Sequence, residues 1–118
     1  MLTKNHLNFY DNIHIIIVKV IVRMIYMMYP FATLADNTVI THSHLLDYNG
    51  EKSVEIHFER PIDGGFDMAR CLLPSYEWIM RDGYSDSEIA TFERMCADGA
   101  HIFYKYAELG GAEVAKAV

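Results

Sequence analysis

The sequence predicts an α+β domain: a three-stranded antiparallel meander with one long C-terminal helix packed on one face and a short helix between. Three observations predict it. Asn49-Gly50 separates two strand-like runs, residues 38–46 and 53–60, and Asn-Gly favours a tight hairpin because both turn positions accept positive φ. A third such run, residues 66–73, follows the turn-forming Pro61-Ile62-Asp63-Gly64-Gly65. Ser85-Asp86-Ser87-Glu88 then forms a capping box, with Tyr84 and Ile89 placed as a hydrophobic staple, so a helix starts there.

In chain order, residues 1–27 come first and differ from the rest. Asn12 to Tyr26 is a β-branched run without Gly or Pro. As a membrane helix it is barely long enough, and Lys19 and Arg23 fall in its middle, where each costs about 2.5–3.5 kcal/mol. As a signal peptide it has its basic residues in the wrong place and no small-residue cleavage site. Its Ile, Asn, Lys, Tyr, Phe and Met content, ending in a choice of starts at Met24, Met27 and Met28, reads as non-native upstream translation. An extra strand or amphipathic element is the alternative. The domain is therefore expected to occupy residues 28–111.

With Asn49-Gly50 as a two-residue loop, Tyr48 faces Glu51, Leu45 faces Val54, Ser43 faces Ile56 and Thr41 faces Phe58. That face is expected to bury Val39, Leu45, Val54, Ile56 and Phe58. The opposite face pairs His42 with His57, His44 with Glu55 and Ile40 with Glu59, and is polar. In the third strand, pairing Glu55 with Arg70 sets opposite charges across the polar face and sends Ala69, Cys71 and Leu73 to the core. Pro74-Ser75 ends that strand, and residues 76–81 read as a short helix with Trp78 and Ile79 inward, broken by Asp82-Gly83. Ile89, Phe92, Cys96, Gly99 or Ala100, Phe103 and Ala107 recur at helical spacing and form one apolar stripe. Gly110-Gly111 stops the helix, leaving residues 112–118 as a flexible tail.

Charge limits the function. The chain of 118 residues carries a net charge of -6. Residues 1–27 hold Lys4, Lys19 and Arg23 against Asp11, so the remaining residues carry -8. So acidic a domain repels a phosphate backbone, which argues against nucleic-acid binding and for a basic protein partner. The two cysteines, Cys71 and Cys96, show no CxxC spacing and read as buried free thiols of a cytoplasmic protein, although a disulfide stays open.

His42, His44 and His57 on one sheet face would give the three imidazoles that a zinc site needs, with Glu55 as fourth ligand or proton acceptor. The competing reading is a polar face turned to water or to a partner. Hydrolysis using Glu55 or Glu59 with a histidine lacks water exclusion and oxyanion donors, and Ser43 falls on the other face from His42 and His44. His101 reads as a helix flank, and Trp78 with Tyr76 and Tyr84 as core packing.

The stretch Tyr29-Pro30-Phe31-Ala32-Thr33-Leu34-Ala35-Asp36-Asn37-Thr38, followed by His57-Phe58-Glu59-Arg60-Pro61 and by Arg70-Cys71-Leu72-Leu73-Pro74-Ser75-Tyr76-Glu77-Trp78, resembles a group of small uncharacterised bacterial proteins that open near Met-Tyr-Pro-Phe. The resemblance covers residues 28–111 and implies the small partner of a toxin-antitoxin or similar two-gene locus. It transfers no catalytic residue. The expected function is a cytoplasmic protein-interaction module, antitoxin-like or regulatory and more binding protein than enzyme. Its docking residues are expected to be His42, His44, Glu55, His57, Glu59 and Arg70, and the partner a basic protein or a second copy. A zinc-binding protein or metal-dependent hydrolase using His42, His44 and His57 is the alternative.

Overall fold

The structure, a computed structural model, describes Ile13 and residues 27–111. The readings of a leader in residues 1–27 and a tail in 112–118 lie, Ile13 and Met27 apart, outside the described residues.

Among residues 27–111, six strands and a long helix follow in order: β1 Met28–Thr33, β2 Val39–Ser43, β3 Leu46–Tyr48, β4 Glu51–Ile62, β5 Gly65–Leu73, β6 Glu77–Asp82 and α1 Asp86–Leu109. All strand pairs are antiparallel; the order is β1-β2-β4-β5-β6, with β3 paired to the start of β4. The α+β class holds, but the three-stranded meander is corrected to a six-stranded sheet.

Two elements account for much of the difference. β1 carries Pro30, which lacks an N–H and suits an edge strand or a bulge; among the described strands β1 ends the sheet order and pairs with β2, its register shifting after Pro30. Residues 76–81 were expected to be helical, but most of them form β6 on the other edge, with a register shift opposite Arg70 and Cys71. That shift lets Trp78 turn to the helix, where its indole N–H donates to Glu93 at 2.8 Å, while Ile79 stays exposed.

The hairpin turn is as expected: Tyr48 faces Glu51, and Asn49 and Gly50 both have positive φ. The pairing beyond it is not. Leu46 faces Ser53, but His42 faces Ile56, Thr41 faces His57 and Ile40 faces Phe58. Residues 43–45 thus span what Val54 and Glu55 alone span on β4, one residue more than a regular ladder allows. Because side chains alternate with a period of two, this single insertion swaps the faces of β2. Ile40 and His42 enter the core, whereas Val39 is exposed. β5 is displaced from expectation by two residues, His57 rather than Glu55 facing Arg70, which preserves the faces. Ala69, Cys71 and Leu73 are accordingly buried.

The helix starts as its capping box dictates: Ser85 Oγ accepts from the Glu88 N–H, and the Glu88 carboxylate accepts from the Ser85 N–H. Tyr84 and Ile89 are both buried, and Gly110 closes the helix at φ 88°. The stripe Ile89, Phe92, Cys96, Phe103 and Ala107 packs on Ile40, Val54, Ile56, Phe58, Cys71 and Leu73. Phe58 stacks on Phe92 with centroids 4.1 Å apart. Cys71 and Cys96 are free and buried. Arg60 ties the end of this layer together, reaching Asp67, Asp36 and Glu88 at 2.7, 2.9 and 2.6 Å and covering the Tyr84 ring.

Candidate functional site

Helix α1 occupies one face of the sheet. The other face carries a cavity of about 600 Å³, whose lining includes Ser43 of β2, Glu55, His57 and Glu59 of β4 and Arg70 of β5. Met28 of β1 and Ile79 of β6 add apolar surface from the two edge strands.

Alternation along β4 builds the centre of this cavity. Val54, Ile56 and Phe58 point to the helix, so Ser53, Glu55, His57 and Glu59 point away from it. Glu55 accepts from His57 Nε2 at 2.9 Å and from the Tyr48 hydroxyl at 3.3 Å. The His57 hydrogen bond holds the Glu55 carboxyl below the ordinary range despite partial burial; Tyr48 and the Arg70 charge act in the same direction. Glu55 is thus a carboxylate, and the His57 nitrogen facing it carries a proton.

Ser43 fixes the backbone behind this pair. Its hydroxyl donates to the His44 carbonyl at 2.7 Å and accepts from the Glu55 N–H at 2.9 Å. The inserted residue displaces the regular ladder here, and a side chain supplies the missing acceptor. With both contacts made to backbone, Ser43 Oγ has no hydrogen bond to His57, so no nucleophile–base pair forms although both residues line the cavity.

Arg70 stands apart. Its Nε is buried and meets no hydrogen-bond acceptor among the described residues, and no ion pair links Arg70 to Glu55 or Glu59 there.

Of the expected docking residues, Glu55, His57, Glu59 and Arg70 come together in one cavity. His42 and His44 do not join them. His42 lies on the helix side, fully buried among Tyr29, Phe31, Phe103 and Tyr106, with Nδ1 2.8 Å from the Ser43 carbonyl oxygen. Burial pushes its pKa down, against the smaller opposing effect of that carbonyl. His44 is half-buried within the inserted stretch. The expected three-imidazole face of His42, His44 and His57 is therefore corrected: the register shift divides His42 from His57. Among the described residues no group of three or more His, Cys, Asp or Glu side chains is placed to hold a metal ion.

Sequence reasoning missed Tyr48 and Ile79 as parts of this site and placed Ser43 on the wrong face. Tyr48 reaches Glu55 along the hairpin, a contact no local spacing signals. Ile79 falls in a segment whose sequence predicts an inward position on a short helix, whereas it is exposed on β6. No helix among the described residues is long and apolar enough to cross a membrane. Compared with known proteins, the chain matches no family model, no curated protein and no solved structure.

Proposed function

We propose that this protein is a small cytoplasmic protein-interaction module, antitoxin-like or regulatory in role, that docks a partner protein on the sheet face opposite helix α1. One observation carries the reading. This face holds a cavity lined by Glu55, His57, Glu59 and Arg70, and Arg70 makes no ion pair among the described residues, which leaves its charge for an incoming partner to complement. The exposed Ile79 at its margin gives the apolar contact that interfaces combine with central polar anchors. The acidic charge outside residues 1–27 favours a basic partner at long range.

The test is capture by the tagged full chain expressed in its native host, comparing the wild type with Arg70→Ala and with Arg94→Ala, which alters the exposed side of the helix. A stoichiometric partner retained by wild type and Arg94→Ala and lost by Arg70→Ala is expected. Equal retention by all three, or a monomer without a partner under chemical cross-linking, overturns the reading.

A further inference from the structure

We infer that a second cavity, between helix α1 and strands β1 and β2, is a site for a small organic ammonium with an aromatic body. It lies on the helix side of the sheet and does not rest on the docking reading of the opposite face. At about 340 Å³ it falls within the range of small-molecule sites, which are mostly apolar with a few placed polar groups. Two local features open it. The register shift after Pro30 turns Phe31 as well as Ala32 toward the helix, where the Phe31 ring meets Phe103 with centroids 4.4 Å apart. Gly99 then leaves a gap in the facing turn of α1. A mid-helix glycine weakens a helix relative to alanine, and a Cβ here would come no closer than 3.4 Å to the neighbouring Phe103 ring, so packing does not require it.

The lining is graded from apolar to charged. Ile40, Phe58 and Phe103 are almost fully buried and bound the inner end, Met95 is half-buried, and Asp98, the charged residue of the described lining, is exposed and marks the mouth. A ligand that fits enters with an aromatic ring foremost, against the phenyl rings and the Met95 thioether, and keeps its polar end beside the Asp98 carboxylate. Charge decides the sign of that end. An anion at the mouth would face both Asp98 and the acidic charge of the chain outside residues 1–27, whereas an ammonium is drawn by both. A neutral ligand gains the apolar burial alone.

The experiment follows the Met95 methyl resonance in the full chain labelled with methyl-¹³C methionine, with Met28, which lines the cavity on the opposite face, as the internal control. Probes are phenethylammonium chloride, the neutral phenethyl alcohol, the anionic hydrocinnamate as its sodium salt, and ammonium chloride at matched ionic strength. The expected result is a saturable shift of Met95 with phenethylammonium, accompanied by Overhauser contacts from the ligand ring to that methyl, while Met28 stays in place. Phenethyl alcohol should bind more weakly and hydrocinnamate more weakly still, and ammonium chloride should leave the methyl unmoved. Asp98→Asn alters an exposed side chain; it should weaken phenethylammonium by roughly two- to fivefold, the range of an exposed ion pair, and leave phenethyl alcohol unchanged. Gly99→Leu, which fills the gap in the helix, should abolish saturation by every aromatic probe. No saturation of Met95 in the wild type, or binding of the alcohol or the anion as tight as that of the ammonium, overturns the assignment without needing any variant to fold. An Asp98→Asn chain that keeps the full wild-type preference for the cation overturns it as well.

Discussion

His42 points its Nδ1 at the Ser43 carbonyl oxygen and buries Nε2 among aromatic rings with no hydrogen-bond partner among the described residues, so a proton there would bring a charge into apolar surroundings. Its folded pKa lies below the ordinary 6.5, and the sign of the consequence follows. Above 6.5 both folded and unfolded chains hold a neutral imidazole. Below it the unfolded chain takes up a proton that the folded chain refuses, so stability declines as pH falls until the folded value is passed. Glu55 and Glu88, held below their ordinary 4.5, add a second decline as pH falls through the acid range. Urea midpoints against pH should therefore fall in two steps. His42→Phe should flatten the first step and leave the second; an unchanged first step would contradict the burial of this histidine. Ser43→Ala removes the acceptor of the buried Glu55 N–H and should lower stability by about 1–3 kcal/mol in denaturant melts, where no loss would mean that the ladder closes by itself. Neither role was legible in the sequence. Val39-Ile40-Thr41-His42-Ser43 offers an apolar residue to either face, and which one turns inward is decided by the inserted residue near the turn, not by the strand itself.

Local chemistry set the boundaries of the elements better than their partners. The Asn49-Gly50 turn and the Ser85 cap were readable because each depends on a few adjacent residues, and both positive-φ turn positions and both capping hydrogen bonds are present. Ser85→Ala should accordingly cost about 1 kcal/mol in thermal or denaturant unfolding, and Ser85→Asp should cost little, since aspartate also accepts from the first-turn N–H groups. A neutral alanine would mean that Tyr84 and Ile89, rather than the cap, fix the helix start. The apolar stripe of α1 was equally readable, its period being a property of one segment. β1 and β6 were not. The proline in Tyr29-Pro30-Phe31 argues against an interior strand, and Trp78-Ile79-Met80 carries no alternation because its register shifts within the strand. Each acquires its conformation from a neighbour, β2 or β5, that completes its ladder.

At the scale of the molecule, helix α1 laid on the sheet gives the described residues a sealed side and an open one. The sealed side takes the aromatic rings, the buried thiols and His42; the open side keeps Glu55, His57, Glu59 and Arg70 around one cavity. Of the side chains expected on one polar face, Glu55, His57, Glu59 and Arg70 lie together and His42 does not, because β4 and β5 have the predicted faces while β2 exchanges its own. The most direct measurement is the broadening of side-chain resonances in the full chain by a soluble paramagnetic agent. The account predicts that Ile79, exposed on the open face, broadens while His42, shielded by α1, stays sharp. Equal broadening of both, or a sharp Ile79, would contradict it.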